Sequence, residues 1–203
     1  MADFDFEKDY VFEDAFLKII PLKPNHTDEY SEIADDPEVW TYFLEKGLGR
    51  NHLEKYIAEA IEQRQKKKQY PFAIKEKSQN QFVGMTRLYE IDHNLKTIKM
   101  GHTWLGKKYW GRGINQRCKY LLFQFIFDHL QFERVGFGVS AENTRSLKAL
   151  ENMGCIKEGK LRAFLNKTNS NERIDLILLS ILKNEWDQSI KHNLQLKLSS
   201  KII

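Results

Sequence analysis

The sequence predicts an α/β protein built on a largely antiparallel sheet, and three features point that way. Segments 70–77, 82–91 and 97–105 carry strand patterns separated by short polar turns, the signature of an antiparallel meander. Residues 114–130 then switch to a helical period, with Ile114, Cys118, Leu121, Leu122, Phe125, Ile126 and Leu130 on one face. Strand patterns return at 134–140, 155–165 and 173–182.

The remaining elements follow in chain order. FLKIIPL, at 16–22, reads as a first strand. Pro24-Asn25 punctuates, and EYSEIADDPEVWTYF supports one or two short helices, with Pro37 at the start of the second. Residues 51–67 set Leu53, Ile57, Ala60 and Ile61 on one helical face. The Lys66-Lys67-Lys68 run at its end suits a solvated C-terminal turn, where the helix dipole favours cations. Asn143 reads as the cap of a helix carrying Leu147, Leu150 and Met153, which Gly154 ends. From Lys183 the tail is helical or loose. No repeat and no Pro-, Gly- or Ser-rich linker divides the chain, so a single domain over 1–203 is expected.

Composition narrows the class. With 41% hydrophobic and 30% charged residues, the 203-residue chain is long and apolar enough to bury a substantial core. Its N-terminus, MADFDFEKDYVF, carries acids where a secretory signal carries cations and an apolar run, and no apolar stretch can span a bilayer. Cys118 and Cys155 lie far apart, outside any CxxC spacing, which suits free thiols in a reducing compartment. None of the six histidines forms an i,i+4 pair or an HExxH, so a metal site has little support. The expected location is the cytoplasm, with no membrane partner.

One stretch carries chemistry. From His93 to Phe127 there is no Asp or Glu, yet seven basic residues occur: Lys96, Lys99, Lys107, Lys108, Arg112, Arg117 and Lys119. That distribution suggests a local positive field built for an anion. Inside it stands YWGRGIN. Without Cβ atoms, Gly111 and Gly113 allow a sharp turn and a close approach to a ligand. Consecutive N–H groups entering a helix then converge on one point, where the dipole also favours negative charge. A phosphate or pyrophosphate fits. The plainer alternative is a tight strand-to-helix turn. No GK[ST] follows, and Gln116 stands where a dinucleotide fingerprint needs its third glycine.

HTWLGKKYWGRGINQRCKYLLFQFIFDHL, RVGFGVSAENTRSLKALENMGC and IKEGKLR together resemble the GNAT acetyltransferase superfamily, in its RimJ/RimL-like branch. The resemblance is close over 97–165, includes ILKNEW at 181–186, and elsewhere rests on the order of elements. It implies a mixed, mostly antiparallel seven-stranded sheet, splayed at a central bulge, flanked by helices and holding acetyl-CoA as co-substrate. The CoA pyrophosphate is then expected on the N–H groups of Gly111, Arg112, Gly113, Ile114 and Asn115. The pantetheine amides are expected on the strand edge at Thr103, Trp104 and Leu105, like an added strand. Asn143 and Ser146 match the family's N-x-x-S element beside the cofactor, though both also suit a simple helix start. Trp110 and Asn115 depart from the family's usual loop residues, Gln or Arg at its start and Gly or Ala at its end.

Two usual catalysts are missing. The superfamily's frequent glutamate base is Lys99 here, and its frequent thiolate-protonating tyrosine is Leu150. Ser146, Glu158 and His102 are the candidate substitutes, as proton donor to the thiolate, as base, and as a group titrating near neutrality. Glu158 equally suits a strand-face ion pair, and His102 a packing role. Deprotonation at pH 7 takes about 4.6 kcal/mol for a lysine amine but about 1.1 kcal/mol for an α-amine. A weak base therefore favours an N-terminal α-amine or a small amine over an internal lysine. The expected reaction is N-acetylation by direct attack, with acetyl-CoA and an amine acceptor as partners. Two other readings stand beside it: a non-catalytic acyl-CoA-binding regulator, and a nucleic-acid module stacking bases on Trp104, Tyr109 and Trp110. Nucleic acid is disfavoured because those rings cluster at one junction. A homodimer is compatible with all three readings.

Overall fold

The computed structural model describes residues 4–43, 47–167 and 170–199. Its strands are β1 (Phe12–Glu13), β2 (Leu17–Pro21), β3 (Gln69–Glu76), β4 (Gln81–Asp92), β5 (Thr97–Leu105), β6 (Arg134–Ser140), β7 (Ile156–Asn166) and β8 (Arg173–Leu182). They form one sheet in the order β1-β2-β3-β4-β5-β6-β8-β7. Every neighbouring pair is antiparallel except β5 and β6, which run parallel. The sheet has eight strands rather than the expected seven. The addition is β1, whose two residues pair Phe12 with Ile19 and Glu13 with Lys18 and are too few to show an alternation.

Helices α1 (His26–Ala34) and α2 (Arg50–Gln65) precede the meander, with a 3₁₀ turn at Pro37–Trp40 between them. Asp36 caps that turn by accepting from the Glu38 N–H, and Pro37 opens it. The middle strands are buried almost continuously, as elements covered on both faces must be. Tyr30 of α1 reaches the sheet, its hydroxyl donating to the Gly84 carbonyl at 2.7 Å.

Helix α3 (Ile114–Phe123) does not run on in α geometry to residue 130 as expected; it widens into a π-helical stretch over Gln124–His129. Phe125, Ile126 and Phe127 are all buried. Three consecutive residues cannot share one narrow face at α spacing, and the wider turn brings them all inward. Helix α4 (Thr144–Glu151) begins at Asn143, whose side chain accepts from the Ser146 N–H at 3.0 Å, and Gly154 follows it at φ +94°.

The tail is helical rather than loose: α5 (Lys183–Glu185), a π turn over Trp186–Ile190, and α6 (Lys191–Ser199). Trp186 anchors it. The ring is fully buried against Phe123 and Phe127, and its indole N–H donates to Asp128, which also pairs with Lys191. No helix among the described residues is long and apolar enough to cross a membrane.

A candidate active site between two diverging strands

The parallel β5–β6 ladder is short. It pairs Thr97 with Arg134, Ile98 with Val135 and Lys99 with Gly136, and then stops. Beyond that point β6 stays registered on β8, from Arg134–Leu182 to Ser140–Leu176. Strand β5 instead carries an extra residue against β4: Arg87 faces Gly101 and Met85 faces Trp104, two positions against three. His102 takes up the irregularity at φ +49°, a left-handed conformation costly for a residue with a Cβ. The bulge turns β5 away from β6 and leaves the Gly101–Leu105 edge without a strand partner among the described residues.

A cavity of about 800 Å³ fills the opening, at the upper end of the range for small-molecule sites. Residues Met100–Leu105 wall one side and Phe137–Ser140 the other. The loop before α3 and the start of α4 close one end. There Gly111 and Gly113 lie at φ +76° and +79°, where glycine is at ease and other residues are strained. Gly113 occupies the N-cap of α3 and supplies no side chain to it. The first helical N–H to find an intrachain acceptor is that of Arg117, on the Gly113 carbonyl at 3.0 Å. The N–H groups of Ile114, Asn115 and Gln116 therefore point out of the helix end towards the cavity rim. A Cβ built on Gly111 would meet nothing within 4 Å, so the backbone there is bare. These features fit a phosphate-bearing ligand.

The residues marked in the sequence fall out as follows. Thr103, Trp104, Leu105, Gly111, Gly113, Ile114, Asn115, Asn143, Ser146 and His102 all line the cavity. Arg112 does not; its guanidinium is 5.9 Å from the Tyr109 ring centre. Glu158 does not either. It sits on β7, paired with Arg134 and accepting from the Ser180 hydroxyl at 2.8 Å. Arg134 first, then Ser180, holds its carboxyl below the usual range. Its place is a strand-face ion pair.

The departures in the loop are both used in packing. Trp110 donates its indole N–H to the Leu105 carbonyl at 2.8 Å and is covered by the Arg145 guanidinium, 3.5 Å from its ring centre. Asn115 accepts from the Lys119 ammonium at 3.0 Å. Leu150, at the family's tyrosine place, is buried against the cavity.

The positive field largely dissolves in three dimensions. Lys99 pairs with Glu90, Lys107 with Glu38, Lys108 with Glu32 at 3.8 Å, and Arg117 with Asp14 at 3.2 Å. All four acids lie outside 93–127, so a gap in sequence is not a gap in space. The stacking reading also loses its rings: Trp104 and Tyr109 are buried, and Trp110 lies beneath Arg145.

Among the cavity residues that the sequence did not mark are Arg87, Tyr89 and Arg145, while Lys119, marked there only as part of a positive field, has a more specific place. Lys119 is buried, bonded to Asn115 and, at 3.4 Å, to the Thr103 hydroxyl, and burial lowers its pKa. It ties α3 to the free edge of β5. His102 is exposed within the open cavity, with the cavity walls crowding it, and it does not titrate near neutrality as expected. Desolvation by those walls, with the Arg87 charge second, pushes its pKa down to about 4, so the imidazole is neutral at pH 7 and a weak proton acceptor. Among the described residues, no cluster of His, Cys, Asp and Glu is placed to hold a metal ion.

The family model for the acetyltransferase (GNAT) domain matches residues 17–156. This chain belongs to the GNAT acetyltransferase family. The GNAT chain is 27% identical over 175 residues to p20, an uncharacterized N-acetyltransferase of Bacillus licheniformis, covering 84% of this chain and 94% of p20. It is 30% identical over 104 residues to YdaF of Bacillus subtilis (strain 168), covering 51% of this chain and 55% of YdaF. Its fold is similar to that of Mycobacterium smegmatis RimJ, with a TM-score of 0.76 at 20% identity, over 95% of this chain and 94% of that one.

Two outcomes follow from the geometry. Gly111→Ala forces a left-handed residue at a cost of about 1–2 kcal/mol and sets a methyl in the cradle. Its acetyl-CoA affinity should fall about tenfold or more, with a fall in Tm of a few degrees; unchanged affinity by calorimetry would remove the cradle. Glu158, with its depressed pKa, adds stability that is present above the unfolded value near 4.3 and is lost as pH falls through the folded value. Glu158→Gln should flatten the fall of Tm between about pH 5 and 3 and leave the pH profile of turnover in place. A displaced limb in that profile would return Glu158 to the chemistry.

Proposed function

We propose that this protein is an acetyl-CoA-dependent N-acetyltransferase of the RimJ/RimL-like branch, a single domain over 1–203 acting in the cytoplasm. Its acceptor is a protein N-terminal α-amine or a small-molecule amine, attacked directly. The carrying observation is the gap between β5 and β6, with a bare strand edge along one side and a cradle of N–H groups at one end. The RimJ structure of shared fold was solved with CoA-disulfide, which supports the same use of the gap.

Bound acetyl-CoA supplies an acetyl thioester open to attack by an amine. The N–H groups of Gly111 to Asn115 would hold its pyrophosphate, and the edge at Thr103, Trp104 and Leu105 would pair with its pantetheine amides. Strand-edge N–H groups also suit the oxygen on which charge develops during attack. Lys119 positions both halves, because it bonds Asn115 in the cradle and Thr103 on the edge. Asn143 caps α4 and so holds Ser146 at the cavity wall. The Ser146 hydroxyl can pass a proton to the departing thiolate, directly or through water, and His102 can accept the proton that the amine loses. A neutral imidazole depressed to about 4 is a poor base for a lysine amine. It suits an acceptor that gives up its proton more readily, as an α-amine does.

Titration calorimetry with acetyl-CoA, CoA and 3′-dephospho-CoA tests this reading. One saturable site is expected, followed by thiol release that is faster with N-terminal peptides than with internal-lysine peptides. No binding to folded protein would overturn it. Binding with no release across a broad amine panel would leave the acyl-CoA-binding regulator.

A further inference from the structure

The far end of the cavity from the cradle contains a cation with unused donors. Arg87, on β4, is only 2% exposed. Its Nη1 donates to the Gln69 side-chain oxygen at 3.0 Å, and its guanidinium lies over the Tyr56 ring, 4.5 Å from the centre. Its Nε and Nη2 have no hydrogen-bond partner and each exposes less than 1 Å², so an anion reaches them only when a side chain that covers them moves aside. No carboxylate of a described residue lies within ion-pair distance of it. Arg87 lines the cavity together with Tyr56, Glu59, Gln69, Tyr89 and His102.

A buried guanidinium that makes one of its five hydrogen bonds is costly unless an anion completes it. The two idle groups are a particular pair. Nε–H and Nη2–H lie side by side along one edge of the guanidinium plane and form the fork that receives a carboxylate with two parallel bonds. The ring of Tyr56 and the bond to Gln69 fix that plane before any ligand arrives. The register adds location: Arg87 faces Gly101 on β5, next to the bulge at His102, where β5 leaves β6. An anion on this fork therefore sits one strand away from the free edge of β5.

We infer that Arg87 is the acceptor's anchor and that the acceptor is an amine carrying a carboxylate close to its nitrogen. This inference rests on the acetyltransferase reading and narrows it. The carboxylate has two possible sources, the α-carboxylate of a free amino acid or the side chain of an acidic N-terminal residue. In both, the acid docks on Arg87 and leaves the amine directed at the β5 edge. A cation in this place also disfavours acceptors with a second positive charge near the amine, such as polyamines and basic N-termini.

The test compares matched acid and amide acceptors on the whole protein. One arm sets alanine against alaninamide. The other sets Asp-Ala-Ala-amide against Asn-Ala-Ala-amide, so that the side chain is the only carboxylate. Each compound is assayed by thiol release with acetyl-CoA, and its N-acetylated form is titrated into CoA-loaded protein, which needs no turnover. The acid form should win by about 100-fold in the affinity of its acetylated form in one arm, and the winning arm names the source. In Arg87→Lys and Arg87→Gln the preference should shrink to a few-fold, with acetyl-CoA affinity held. Equal treatment of acid and amide in both arms would overturn the inference while acetyl transfer stands. That wild-type comparison holds even if the variants fold poorly. Failure to bind acetyl-CoA would strike the acetyltransferase reading, and the same acetylated acids and amides titrated into the unloaded protein would still judge Arg87.

Discussion

The end of one parallel ladder organises this molecule. β6 is committed along its length to β8, while β5 is bent by an extra residue at His102, so the two strands can pair only through Lys99 and Gly136. Past that point backbone groups that a sheet normally satisfies internally face an opening. Such groups must meet water or a ligand with amides of its own. The strained conformation of His102 is the local cost of holding the opening, and the sheet on both sides supports it.

The loop before α3 depends on that opening too. Trp110 is hooked to the last carbonyl of β5 and stacked under Arg145 from α4, so the glycine turn is gripped by both elements that flank the gap. Lys119 then links the first turn of α3 back to Thr103. Cradle and strand edge are thereby held as one rigid unit, which lowers the entropy lost when a long, flexible ligand binds.

Much of this was legible in the chain, because it rests on local chemistry. The strands over Thr97–Leu105 and Arg134–Ser140 fall on their expected bounds, since alternation and flanking turn residues define them. The left-handed glycines follow from residue type alone. What the chain did not display depends on pairing across the fold. Lys99 looked like part of an anion-attracting field, yet the β4–β5 register puts Tyr89 opposite it and brings neighbouring Glu90 into reach. Arg87 sits in an ordinary strand pattern, and only burial by α2 and β3 reveals a cation with idle donors. The two-residue β1 and the π-helical widening of α3 follow from neighbours, which no periodicity records.

The central claim is that the free edge of β5 and the start of α3 receive one ligand together. Hydrogen–deuterium exchange with and without acetyl-CoA addresses it at the level of single segments. Amides over Gly101–Leu105 and Gly111–Gln116 should slow together on binding, while those of β2 and β3 remain unchanged. Protection confined to the loop, with the β5 edge still exchanging freely, would contradict the account.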